Sequence, residues 1–260
     1  MRMRSLVLAA ALLTLGACAS MIPPPPPGSV IPPFLMGAVT DPIRPTADRE
    51  RDAERKPAEL LAFAGLTPGM EVADMIPGGG YFTRIFSKAV GPSGKVYAYV
   101  PDELTKLAKR PPAVKAIADD PAYANVEMIV RTMPAFSAPE KLDLVWTSLN
   151  YHDMHAQFMG PVNVAAVNKA VFNALKPGGT YIVIDHVDDP GTGIANVNTL
   201  HRIDPELVRR EVEAAGFIFD GESSILRNPV DTHKLSVFDE SIRGRTDQFV
   251  YKFRKPRGAR

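Results

Sequence analysis

Two groups of residues in this chain have the types and spacing for chemistry. The first is Pro77-Gly78-Gly79-Gly80, which follows an apolar run, Met70 to Met75, carrying Asp74 near its end. A stretch with helical character, Tyr81 to Ala89, begins at once, so the segment reads as strand, tight turn and helix. Glycines at 78 and 80 let a ligand approach the backbone to contact, and the N–H groups that open the helix point at it. The second group is a set of imidazoles and carboxylates: Asn150-Tyr-His-Asp153 with His155, then Asp185-His186 with Asp188, then His201. Histidine titrates near neutrality, so His152 or His186 could take a proton from a nucleophile, with Asp153 or Asp185 orienting the ring. A metal reading also draws on His152, Asp153, His155, Asp185, His186 and His201. No local spacing demands it, and no metal ligand is assigned. The plainer alternatives are an ordinary Gly-rich connection and histidines with structural or peripheral roles.

Bulk composition narrows the classes. With 260 residues, 45% hydrophobic and 23% charged, the chain can build one sizeable α/β domain with extensions, or two small ones. Its 30 basic and 29 acidic residues leave no surplus for a polyanion, so no nucleic-acid partner is expected, and the basic end, Lys252 to Arg260, reads as solvated. A single cysteine, Cys18, excludes an intramolecular disulfide and any cysteine-cluster metal site. Met1-Arg-Met-Arg and the apolar Leu6 to Leu15 read as an export signal over residues 1–19. Leu15-Gly-Ala-Cys18 resembles a bacterial lipobox, which would make Cys18 a lipid anchor and the protein a periplasm-facing lipoprotein. Simple cleavage is one alternative. A start at Met21 or Met36, giving a cytoplasmic protein, is another.

The elements that must position these groups are legible in order. Prolines 23 to 27, 32, 33, 42 and 45 suggest an extended tether over residues 20–46. The folded domain is expected over 47–256, with a basic tail at 257–260. Mixed charges from Asp48 to Lys56 read as a solvated helix face, with Arg51, Asp52 or Arg55 over a cleft as the alternative. Pro57 opens a helix that Gly65 closes. Strands are expected at Met70 to Met75, Lys95 to Val100, Val126 to Val130, Leu142 to Ser148 and Tyr181 to Ile184, with Trp146 in the core. Helices are expected at Asp102 to Lys109, at Pro161 to Leu175 and after the Asp204 cap. Phe217 to Leu226 and Gln248 to Phe253 alternate like a closing antiparallel pair. The expectation is an α/β, doubly wound, mostly parallel seven-stranded Rossmann-like sheet that ends in an antiparallel hairpin.

This order, the Gly-rich turn, Leu175-Lys-Pro-Gly-Gly179 and the terminal pair resemble the class I S-adenosylmethionine-dependent methyltransferases from about Pro57 to Pro256. Arg55-Lys-Pro57, Pro77 to Thr83, Asn150-Tyr-His-Asp153, Leu226-Arg-Asn-Pro229 and Arg245-Thr-Asp-Gln248 are similar to a bacterial group of predicted, sometimes exported members. The family turn is acid-x-Gly-x-Gly-x-Gly; Asp74, Gly78 and Gly80 match it, and Ile76 stands at the first glycine. The resemblance implies S-adenosyl-L-methionine as cofactor, held by Asp74, Pro77, Gly78, Gly79 and Gly80. It also implies a ribose carboxylate at the end of the second strand, for which Asp102 is the candidate. The expected catalytic residues are His152 or His186 as a base, with Asp153 or Asp185 orienting it, and the expected acceptor is a small molecule. A non-catalytic, envelope-tethered binding protein on the same fold is the second expectation, and a metal-dependent enzyme the third.

Overall fold

The computed structural model describes residues 31–108 and 110–258. Seven strands form one sheet: β1 (Glu71–Met75), β2 (Lys95–Pro101), β3 (Val126–Arg131), β4 (Leu142–Ser148), β5 (Leu175–His186), β6 (Ile218–Ser223) and β7 (Gln248–Arg254). Their spatial order is β3-β2-β1-β4-β5-β7-β6. The first five are mutually parallel, and β7 runs antiparallel to both β5 and β6. The expected doubly wound sheet with its terminal antiparallel pair is therefore present. The chain leaves β1 toward β2 on one side and returns to β4 on the other. The crevice beyond the carboxyl ends of β1 and β4 lies where the winding reverses, and open α/β sheets bind their ligands there.

Nine α-helices accompany the sheet among the described residues: α1 (Pro33–Val39), α2 (Thr46–Arg49), α3 (Asp52–Arg55), α4 (Pro57–Ala64), α5 (Tyr81–Val90), α6 (Asp102–Leu107), α7 (Lys115–Ala118), α8 (Val164–Ala174) and α9 (Pro205–Ala214). None is long and apolar enough to cross a membrane. Each face of the sheet carries its own core. On one face Val167 and Val171 of α8 and Val208 and Val212 of α9 close over Tyr181 and Val183. On the other, α1, α4 and α5 pack on Val72, Trp146 and Ile182. Phe82 and Phe86, one turn apart on α5, place their rings 4.7 and 5.4 Å from that of Trp146, which locks the helix after the glycines onto β4. The Asp204 carboxylate accepts from the Glu206 N–H and caps α9, as expected, and Asn163 does the same for α8.

The amino-terminal boundary differs from the expectation. Residues 33–46 are not a tether: α1 buries Leu35, Ala38 and Val39 against the α4/α5 face, so the folded domain begins near Pro33 rather than at 47. Of the prolines that suggested extension, Pro33 lies inside the first turn of α1 and Pro45 at the cap of α2, where a missing N–H costs nothing, and Pro42 lies in the turn between them. Arg44 is fully buried, and its guanidinium donates two 2.8 Å bonds to the Asp52 carboxylate. The basic end also departs in part. Lys252 donates to the Phe63 carbonyl, and the buried Lys255 ammonium donates to the carbonyls of Phe172 and Leu175. Finally, β5 starts directly at the end of α8, so Lys176-Pro-Gly-Gly179 lies within the strand, beside the register shift against β4 between Leu142 and Leu144. The export signal expected over residues 1–19, Cys18 included, and residues 20–30 of the expected tether lie outside the described residues.

Candidate active site

The turn after β1 is built by conformations that side chains resist. Gly78 and Gly80 have φ of 56° and 80°, and Ile76, where the family pattern has glycine, has φ of 55°. A β-branched residue in the left-handed region is strained by about 1–2 kcal/mol. Ile76 is held there because its N–H donates to the Tyr99 carbonyl at 2.9 Å and its side chain is buried. The departure in sequence thus leaves the shape of the turn intact. The three glycines serve different ends. Around Gly78 and Gly79 a Cβ would meet nothing within 4 Å, so their backbone is open to a ligand. A Cβ on Gly80 would fall 2.1 Å from Ile117 Cδ1, so Gly80 is a packing glycine behind the turn.

Two clefts flank this turn. One, of about 250 Å³, lies between Gly78 and Gly79, Asp74, Ser148 to Asn150 at the end of β4, and Arg51 and Arg55. The other, of about 150 Å³ and mostly apolar, lies between Pro77, Gly78, Val100, Pro101 and Leu104. The charged run folds as α2 and α3: Arg49, Glu50, Glu54 and Lys56 are exposed, as a solvated face requires, while Asp48, Arg51 and Arg55 line the first cleft. The Arg55 guanidinium sits 4.2 Å from the Tyr81 ring centre and 4.8 Å from that of Phe82, stacked on the start of α5. Burial, with Arg51 nearby, lowers its pKa to about 10, which still leaves it charged at neutral pH. The Tyr81 hydroxyl donates to Asp52 at 2.5 Å, and Asp52 is the carboxylate that Arg44 grips. That chain of contacts fixes α3, and with it Arg55, over the turn.

Asp74 is buried, and the Thr83 hydroxyl donates to it at 2.6 Å. Burial pushes its carboxyl up to about 7, against the opposing pull of Thr83 and Arg55. Asp102 does not reach either cleft. It opens α6, pairs with Lys106 at 2.6 Å and accepts from Thr105. Its neighbour Glu103 accepts from the Met133 N–H. The helix start directs the Asp102 carboxylate to its own i+3 and i+4 partners, Thr105 and Lys106.

Beyond β4 and β5 the structure brings part of the His/Asp set together. Asn150 donates to the Ile76 carbonyl at 3.1 Å, tying the end of β4 to the glycine turn. Two residues on, His152 is nearly buried: its N–H and its Nδ1 bond the two oxygens of the fully buried Asp185, at 2.7 and 2.8 Å. His152 Nε2 faces Asp153 Oδ1 at 3.2 Å and His201 Nδ1 at 3.3 Å. Burial opposes the charge on His152, but Asp185 and Asp153 outweigh it and raise its pKa to about 10. Asp185 is held below the usual carboxylate range, since His152 overcomes its own burial. His152 is therefore an imidazolium at neutral pH and is not the base expected of it.

Nor is His186. Burial pushes its pKa down to about 3, too low to hold a proton, and its Nδ1 is engaged with the Thr246 hydroxyl at 2.7 Å. The expected pairing with Asp185 reduces to a backbone bond, the His186 N–H on Asp185 Oδ1. His155 turns away to Glu211 on α9. The solvent-accessible imidazole of the cluster is His201, whose pKa is lowered by burial and by the charge on His152. The loop to it is pinned by bonds from the Ile203 N–H to the His186 carbonyl and from the Val237 N–H to the Leu200 carbonyl. Sequence reasoning placed His201 in the metal set and not in the catalytic one. Arg44 it missed altogether, because a lone arginine among prolines carries no periodic mark.

The strand order and reversal crevice define the class I methyltransferase fold, and solved structures agree. A methyltransferase from Aquifex aeolicus superposes with a TM-score of 0.57 at 18% identity, over 80% of this chain and 95% of that one. The [4+2]-cyclase SpnF also gives 0.57, at 14% identity and 82% of each chain. Likeness at that level shows the fold and leaves the reaction open. Among curated sequences, a ubiquinone/menaquinone biosynthesis C-methyltransferase of Shewanella pealeana is 29% identical over 129 residues, 48% of this chain and 46% of that protein. The chain thus spans about half the length of the curated relatives it matches. No family model matches it.

Proposed function

We propose that the protein is a class I methyltransferase that binds S-adenosyl-L-methionine across the Ile76 to Gly80 turn and methylates a small molecule. The observation that carries this reading is the pair of clefts on either side of the turn, because their linings differ as the two ends of that cofactor differ. On the apolar side, Pro77, Val100 and Leu104 suit an adenine ring. On the polar side, Arg51 and Arg55 suit a carboxylate, and Asp74 suits an ammonium. Asp102 is left out of the binding set. When bound, the cofactor supplies a methyl group already activated for in-line transfer. The chain's own contribution is alignment, by Arg55 at one end and the open backbone of Gly78 and Gly79 in the middle.

On the acceptor side, Asp153 and His201 are the accessible polar groups of the rim, and His152 and Asp185 hold them in place. The matched methyltransferase names and this cleft pair together favour catalysis over a purely binding role. Calorimetric titration with S-adenosylmethionine and S-adenosylhomocysteine tests it: binding is expected for both, weakened by about ten- to a hundredfold in Arg55→Ala. No heat at millimolar ligand would remove the methyltransferase reading. Membership of the exported bacterial group and anchoring through Cys18 are part of the same proposal. Labelled palmitate that fails to appear on the protein in an envelope fraction would overturn the anchor.

A further inference from the structure

We infer that His152, Asp153 and His201 form a binding site for a divalent first-row transition-metal ion, placed on the acceptor side of the fold. Three donor atoms converge there from two separate loops; an ion bound among them would displace the proton that Asp185 and Asp153 favour on His152, releasing it to solvent and leaving Nε2 to ligate. His152 Nε2 lies 3.2 Å from Asp153 Oδ1 and 3.3 Å from His201 Nδ1, and the last two are 4.0 Å apart. Imidazole and carboxylate donors sit about 2.0–2.2 Å from such an ion, so neighbouring donors are about 3–3.4 Å from one another. Two of the three separations already have that value. The third closes with a small movement of Asp153 and His201, the two less buried members.

Two further features match a metal site rather than a chance contact. The remaining nitrogen of His152, Nδ1, is bonded to the buried Asp185 carboxylate at 2.8 Å. A carboxylate behind a ligating imidazole fixes ring orientation and raises its basicity at metal centres. His201 sits at φ of 55°, a left-handed conformation that histidine tolerates, and its ring packs on Phe238 with centres 4.7 Å apart. Both loops thus spend rigidity on aiming nitrogen atoms at one point. Two imidazoles and one carboxylate on one side of an ion leave its other positions open to water or to oxygen atoms of the acceptor, and the donor set suits Zn²⁺, Mn²⁺ or Fe²⁺. This inference deepens the proposed function by giving the acceptor an oxygen-bearing, metal-ligating chemistry.

The test needs no cofactor, so it fails or succeeds separately from the methyltransferase reading. The full chain, stripped with chelator, is titrated with Co²⁺ as the probe, followed by visible absorption and by metal content after gel filtration. About one equivalent with a ligand-field spectrum is expected, with affinity at least about tenfold weaker in His201→Ala and in Asp153→Asn. Both substitutions lie at the more open positions, and circular dichroism verifies their folding. His155→Ala, whose imidazole is on Glu211, should bind as wild type. Wild-type protein that retains no cobalt, or variants at 153 and 201 that retain it unchanged, would overturn the site. So would equal loss in His155→Ala.

Discussion

Asp74 carries more consequence than its size suggests. Its carboxyl is raised to about 7 by burial, so near neutrality it is poised between a neutral acid and a carboxylate. An ammonium on the bound ligand favours the carboxylate, and below pH 7 the free protein must give up a proton to provide it. Affinity for S-adenosylmethionine is therefore expected to rise up to about tenfold per unit as pH climbs toward 7 and to level off above it. Titration calorimetry between pH 5.5 and 8.5 measures this, and Asp74→Asn should be weaker and flat. A profile in the wild type as flat as in the variant would remove Asp74 from the binding set. Residues such as Ile76, Leu149 and His201 make a related point, since all three keep positive φ without being glycine, and all three border the candidate site. Strained backbone collects where geometry matters more than local comfort.

The glycine turn separates by element into two functions that substitution can tell apart. Gly79→Ala has space for its Cβ and no positive φ, so stability should hold while cofactor affinity falls. Gly80→Ala meets both a φ of 80° and Ile117 Cδ1, and should lower stability by about 1–3 kcal/mol. Thermal melts paired with calorimetry of both variants decide this; the same stability loss in each would show that the turn has no open face. Much of this element was legible from residue order. Strand, turn and helix followed from Asp74, three glycines and the apolar period of α5, and the winding followed from repetition. What escaped was contact between distant segments: no pattern in Asp48 to Lys56 says that Arg55 will stack on Tyr81. The imidazoles were found by type, yet their protonation was not, because it depends on Asp185 arriving from another strand. Prolines misled for a local reason, since a helix start tolerates them as well as a tether does.

At the scale of the whole molecule, the first described helix belongs to the domain that carries the site. Removing residues 1–46 takes away the buried side chains of α1 and leaves Asp52 and Tyr81 without Arg44. Burial of Leu35 alone corresponds to about 2–5 kcal/mol by truncation to alanine. A protein starting at residue 47 is expected to melt well below one starting at residue 31 and to lose cofactor affinity; equal melting of the two would mean that α1 is dispensable.

The path Arg44–Asp52–Tyr81 also makes the domain mechanically anisotropic. Load applied at residue 31 first meets α1, which is held by Leu35, Ala38 and Val39 on the α4/α5 face and followed by the Arg44–Asp52 ion pair at the wall of the cleft, before it reaches the hydrogen-bonded strands. In a force-clamp experiment pulling from that end, a small early rip should precede rupture of the sheet. Cofactor held by Arg55 should raise the force at which that first rip occurs and leave the second unchanged.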